Sequence, residues 1–462
     1  MTKLDEVAAW LQDRLPALLA EHQVPAAGVA VLAGGEVVDA AAGLLSTATG
    51  VEATPDSLFQ IGSITKVWTA TLVMQLVDEG RISLDDPLQR HLPEFRLADE
   101  AAAATLTVRQ LLSHTAGFEG DIFTDTGRGN DCLERYVAGL ADVPQLFPPG
   151  QQFSYNNAGY CVLGRLVEVL RGQPFDDCVR DQLFTPLGLT HAANGPYEAI
   201  LFRAAVGHVR PGPDEEEVPA PVWAMARSNA PAGSMLAMRA RDLLAFARMH
   251  LDGGTAADGT QVLAPGTAAA MQERQVELPD LRVMGDSWGL GWELFDSLGT
   301  TVIGHDGNTI GQASFLRVLP EHGVAVVLLT NGGDPYGLYR DVAGHVLREL
   351  AGVELRPMPA PPADPPLVDA TRYAGTYSSR VADLVVSQDD DGRIWLEMLP
   401  KDLALELGET PERSELVSFA PDTLIPVQAQ SGLHVPFAFL GDDGAGHAQF
   451  MHIGRAVPRV AG

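Results

Sequence analysis

Two mainly apolar runs joined by a Gly-Gly turn between about residues 25 and 45 predict a β-hairpin. Gly28-Val29-Ala30-Val31-Leu32 is followed by a turn at Ala33-Gly34-Gly35 and then by Glu36-Val37-Val38-Asp39-Ala40. Ahead of it, residues 1–24 read as an amphipathic acidic helix carrying Asp5, Asp13 and Glu21. After Gly62 the pattern changes to helix, running to about Gly80 with Val67, Leu72, Leu76 and Val77 supplying much of its apolar surface. Helical periodicity dominates from about 81 to 285, with stretches at 108–112, 132–141, 155–170, 175–183 and 242–250 separated by Gly and Pro. Strand patterns return at 289–295, 301–303, 314–319 and 324–330, and a last helix covers about 338–350.

Strands at both ends of a helical insertion predict an α/β (α+β) domain over residues 1–354. In it one antiparallel sheet is flanked by terminal helices, beside an all-helical subdomain at about 81–285, with a cleft between the two. Six prolines between 357 and 366 mark a stiff linker over 355–368. Beyond it, 369–462 shows short alternating runs at 383–386, 393–398, 416–419 and 434–440, which predict a small antiparallel β-barrel or sandwich.

Composition narrows the function. The 462 residues carry a formal charge of -29, which argues against binding to nucleic acid or to an anionic membrane surface. No signal peptide and no run of about twenty apolar residues is evident, so the expected location is the cytoplasm. Cys132, Cys161 and Cys178 are odd in number and widely spaced, which suits reduced buried thiols.

The chain has only three lysines against 28 arginines, and Lys66 follows Ser63 by three positions in Ile61-Gly62-Ser63-Ile64-Thr65-Lys66. An ammonium in an apolar place can lose its proton near neutral pH, whereas guanidinium cannot. On a helix the two side chains share one turn, so Lys66 is placed to activate Ser63 as a nucleophile, and the helix start offers the Ser63 N–H to a developing oxyanion. In Phe153-Ser154-Tyr155-Asn156-Asn157, a helix opens with a phenol suited to relaying a proton and an amide suited to holding a substrate or the lysine. In Gly304-His305-Asp306-Gly307-Asn308, an edge strand would present His305 to a leaving group and the Asn308 N–H as a second oxyanion donor, its small residues admitting a substrate backbone. A competing Gly-x-Ser-x-Gly at Gly285-Asp286-Ser287-Trp288-Gly289 lacks the strand-then-helix setting of a nucleophile elbow.

The order Ser-x-x-Lys, Tyr-x-Asn, His-x-Gly resembles the penicillin-binding and class C β-lactamase-like serine hydrolases. Leu111-Leu112-Ser113-His114-Thr115, Pro231-Ala232-Gly233 and Trp288-Gly289-Leu290-Gly291-Trp292 add to the likeness, which spans about residues 20–350. The resemblance implies Ser63 as nucleophile, Lys66 as base, Tyr155 as proton shuttle, Asn157 as substrate or lysine ligand, His305 where β-lactamases carry a lysine, and a structural His114. It implies acyl transfer through an acyl-Ser63, with no cofactor or metal. His-x-Gly in place of Lys-Thr-Gly makes an efficient β-lactamase unexpected. With the C-terminal domain, the layout is similar to stand-alone penicillin-binding-protein-type thioesterases with a lipocalin-like barrel. These take a nonribosomal peptide from a carrier protein and close it head to tail. On that reading Asp306 and Gly307 face the incoming end of the substrate, Asp306 attracting its α-ammonium, while Arg455 or Arg459 holds an anionic group. A cytosolic esterase, a D-amino-acid-directed peptidase and an acylated sensor without turnover stay open at this point.

Overall fold

The computed structural model describes residues 2–212, 215–401, 405, 410–429 and 432–460. Its centre is a nine-stranded sheet, antiparallel at every pairing, in the order 51–52, 36–46, 26–33, 324–330, 313–319, 302–308, 293–295, 287–288, 276–277. The first hairpin therefore joins the late strands directly, Ala30 lying opposite Val327 and Val31 opposite Val326.

The central strands Ala26–Ala33 and Val324–Thr330 are apolar on both faces because both faces are covered. Alternate residues serve opposite layers. Val29, Val31, Val326 and Leu328 pack with the terminal helices Lys3–Glu21 and Pro335–Ala351, whereas Ala30, Leu32, Val327 and Leu329 pack towards the helical region. In that second layer the Thr65–Asp78 helix is buried from Thr65 through Leu76, with Trp68 stacked on Phe246 at 4.0 Å. The helix is enclosed on all sides over this stretch, so its threonines, Lys66 and Gln75 are buried together with the apolar residues Val67, Leu72 and Leu76. The region from 81 to 285 is mainly helical as expected, but short strand pairs at 59–60, 192–193 and 237–238, and at 208–209 and 218–219, pin its loops to one another.

Residues 352–369 have no regular structure and run along the catalytic domain, Arg356 reaching Asp286 at 3.0 Å. The last domain is a closed eight-stranded antiparallel barrel from Gly375–Ser378 to Ala456–Val460, each strand pairing with the next and the last with the first. Leu384, Val386, Ile394, Leu396, Phe439 and Met451 fill its interior, so it is a packed body. The hairpin between Phe450–His452 and Ala456–Val460 leaves the barrel and inserts into the catalytic domain. There Gly454 O accepts from Tyr155 N–H at 3.0 Å, His452 Nε2 bonds Phe153 O at 3.0 Å, and Ala456 N–H donates to Ser154 Oγ at 3.1 Å. No helix among the described residues is long and apolar enough to cross a membrane.

Candidate active site

Ser63 lies in a 3₁₀ turn, Gly62–Ile64, that leads into the Thr65–Asp78 helix. Gly62 takes φ +53°, and a Cβ there would stand 2.6 Å from the Asn308 amide nitrogen. Gly307 allows the same approach from the other side, since a Cβ on it would meet Ile61 O at 1.9 Å. The small residues of 304–308 thus admit the nucleophile loop rather than a substrate backbone, which corrects the expected role of Gly307. Thr309 N–H donates to Gln312 O, so the alternation of the antiparallel ladder turns the Asn308 N–H away from the neighbouring strand and towards Ser63. The Ser63 and Asn308 N–H groups are therefore the candidates for the two oxyanion donors.

Lys66 is fully buried. Its Nζ donates to Ser63 Oγ at 3.0 Å and to Ala232 O at 2.6 Å, and it stands 4.8 Å from the Tyr155 ring centroid. Burial is the main reason its pKa falls from the ordinary 10.5 to about 7. Near neutral pH a large fraction is therefore the free amine that can take the Ser63 proton.

Tyr155 lines the cleft beside Ser63 and packs face to face with His114 at 4.4 Å. Burial raises its pKa above the ordinary tyrosine value, so the phenol keeps its proton and acts as a relay and donor. His114 is the structural tie expected of it: Nδ1 accepts the Asn156 N–H at 2.9 Å, at the cap of the Asn157–Arg171 helix. Asn157 lines the cleft, and its Nδ2 donates to Asp121 at 2.7 Å rather than to Lys66.

His305 is buried at the cleft floor beneath Trp288, ring centroids 5.3 Å apart. Its Nδ1 donates to Asp306 O at 2.6 Å, and burial pushes its pKa down to about 3. A neutral imidazole held in this way carries its proton on Nδ1 and none on Nε2, so it is not set to protonate a leaving group. Asp306 also lines the cleft, but both carboxylate oxygens accept from Arg317, at 2.6 and 3.1 Å. The group expected to draw in an ammonium is already neutralised. Arg455 reaches the cleft from the barrel hairpin, bonding Asp121 at 2.8 Å with its guanidinium 4.8 Å from the Tyr155 ring centroid. Arg459 instead packs over Tyr377 and donates to Ala374 O within the barrel, away from this cleft. Ser287 is buried in a short strand, donates to Asp296 at 2.7 Å and does not line the cleft.

The cleft holds about 570 Å³. Around its polar floor stand Phe123 and Met225 from the helical region, Met284 from the sheet side, Met358 from the linker, and Leu433 and Val435 from the barrel. Sequence reading missed Glu293, Asp121 and the Ala232 carbonyl. Only Glu293 left a signal, as an acid directly after the apolar Trp288–Trp292 run. Cys132, Cys161 and Cys178 are buried free thiols, as expected.

Residues 11–351 match the family model described as Beta-lactamase. Penicillin-binding protein 4 of Amycolatopsis lactamdurans is 49% identical over 373 residues, spanning 80% of this chain and 97% of that protein. Among solved structures, SurE is 31% identical with a TM-score of 0.79 over 99% of both chains, and was also crystallised with D-Leu. The octameric penicillin-binding protein homologue from Pyrococcus abyssi, 21% identical, shares the fold, with a TM-score of 0.65 over 96% of this chain and 97% of its own. With a serine, a lysine and a tyrosine in mutual contact at the floor of such a cleft, this chain belongs to the beta-lactamase family and is a serine hydrolase or acyltransferase of that family.

Proposed function

We propose that the protein is a stand-alone acyl-transfer enzyme that accepts a peptidyl thioester, forms acyl-Ser63 and releases the peptide by head-to-tail amide formation. Lys66 Nζ takes the proton from Ser63 Oγ as the oxygen attacks the thioester carbonyl. The Ser63 and Asn308 N–H groups hold the oxyanion, and Tyr155 gives its proton to the departing thiol and regains one from the Lys66 ammonium, which restores both groups. The acyl-enzyme then partitions between water and an amine.

The observation that carries the reading is the barrel hairpin seated against Tyr155. It and the linker add apolar walls to the cleft, and a site that excludes bulk water favours a tethered amine over hydrolysis. A tethered amine also has a high effective concentration at the carbonyl. The match to SurE over 99% of both chains includes the barrel, and the D-Leu crystallised with SurE supports a D-residue at the acyl end here.

The test is incubation with peptidyl thioesters ending in a D-residue, with products separated by mass spectrometry. The expected product is the macrolactam, eighteen mass units below the linear acid by loss of about one water. Linear acid alone at every chain length would leave a hydrolase and overturn the cyclase reading.

A further inference from the structure

Asp306 and Arg317 satisfy each other, as do Arg455 and Asp121, which leaves one carboxyl of the cleft with no ion pair to an arginine or lysine among the described residues. Glu293 stands on the Glu293–Phe295 strand opposite Gly304 and is 3% exposed. It lines the same cleft as Ser63 and Tyr155. Its Oε1 is 3.9 Å from His305 Nδ1, with the backbone amides of Gly285 and Asp306 beside the carboxyl. Its Oε2 and the Nε2 of His305 are both buried with no hydrogen-bond partner among the described residues. Unsatisfied polar atoms on two neighbouring side chains that line a cleft are costly unless a ligand completes them. A carboxyl oxygen and an imidazole lone pair both accept hydrogen bonds, so the missing ligand is a donor, and a cationic donor best offsets the buried carboxylate.

We propose that Glu293 and His305 Nε2 form the acceptor subsite, binding the primary amine that attacks the acyl-Ser63 carbonyl. This rests on the acyl-transfer reading above and adds the residues that choose amine over water. The amine arrives as an ammonium paired with the Glu293 carboxylate and passes one proton to it, leaving a carboxylic acid and a free amine. Burial, reinforced by Asp306, raises the proton affinity of this carboxyl, which suits it to take that proton. The nitrogen lone pair then forms the C–N bond. As the tetrahedral adduct collapses, the bond from carbon to Ser63 Oγ breaks, and the second amine proton reaches that oxygen by way of Lys66 and Tyr155. The proton on Glu293 is released to solvent once the product leaves the cleft, so ester and ammonium become amide, Ser63 hydroxyl and one released proton.

The test compares wild type with Glu293→Gln on one acyl thioester, with glycinamide as external amine and glycolamide as its hydroxyl isostere. The ratio of transfer product to acid reports only the fate of the acyl-enzyme, whatever the acylation rate, and the Ser63 adduct seen by mass spectrometry identifies folded enzyme. In the variant the amide-to-acid ratio should fall about 10- to 100-fold, the range of a lost charged hydrogen bond, while the ester-to-acid ratio moves less than about twofold. An unchanged amide ratio, or equal loss with both nucleophiles, overturns the assignment. In wild type alone the amide ratio should saturate with glycinamide and rise linearly with glycolamide; linear dependence on both overturns it even if the variant does not fold. Wild type giving acid alone with every amine defeats the amine-transfer reading itself, whereas transfer by wild type and variant alike defeats only the role of Glu293.

Discussion

Replacing Lys66 with methionine should abolish acylation and change how stability depends on pH. The folded protein holds the Lys66 pKa at about 7 against the ordinary 10.5, chiefly through burial. At about 1.4 kcal/mol per pH unit, the buried ammonium therefore destabilises the fold by about 5 kcal/mol below pH 7. Between 7 and 10.5 the unfolded chain binds more protons than the folded one, so wild-type stability rises with pH and the penalty fades. Methionine removes the titration, and with it the hydrogen bonds to Ala232 O and Ser63 Oγ, a loss of about 1–3 kcal/mol that varies little with pH. The advantage of the variant over wild type should accordingly shrink by about 2.3 kcal/mol from pH 7 to pH 9, the folded lysine being already half deprotonated at pH 7. Urea unfolding of both proteins at the two pH values measures this difference. A stability gap that is equal at pH 7 and pH 9 would refute the claim that Lys66 is held as a largely neutral amine.

Three further outcomes follow from the site. The rate of Ser63 acylation should rise about tenfold per pH unit up to about 7 and level off above it, while Lys66→Arg should lose about 10²–10⁴-fold at every pH despite keeping the charge, both read from the burst of an activated ester; Ser63→Ala should give no adduct. Arg455→Ala, which releases Asp121 and uncovers the Tyr155 ring, should slow acylation by up to about 100-fold, and stopped-flow rates within twofold of wild type would contradict the positioning of Tyr155 by the barrel. His114→Ala leaves the buried Asn156 N–H unpaired and a gap against Tyr155, so it should lower stability by about 2–4 kcal/mol in denaturant melts.

What could be read from the sequence was local. Ser63 and Lys66 lie within one helical turn, the 26–46 hairpin shows as two mainly apolar runs around a Gly-Gly turn, and the barrel strands show as period-two alternation. His305 and Asn308 were placed because they share a strand with a recognisable order of small residues. Contacts between distant segments left no such mark. Arg317 neutralises Asp306 because two neighbouring strands pair in a register that brings them together, and nothing in either segment alone announces it. The same holds for Gly454 and Tyr155, about 300 residues apart, and for Lys66 and the Ala232 carbonyl, where the partner is a backbone atom that any residue would supply. Glu293 was visible as an acid after an apolar run, but only the fold shows that its Oε2 is buried without a hydrogen-bond partner among the described residues.

The Ile453-Gly454-Arg455 turn makes the two domains poor candidates for shuffling. A chimera that takes its barrel from a relative would inherit a foreign grip on residues 153–156, and the phenol would lose its register with the serine even if both halves folded perfectly. Successful recombination would have to carry Asp121, the 153–156 segment and the 452–456 turn as one unit, so a cut at the proline-rich linker, the obvious crossover by sequence, is the wrong place to join two such proteins.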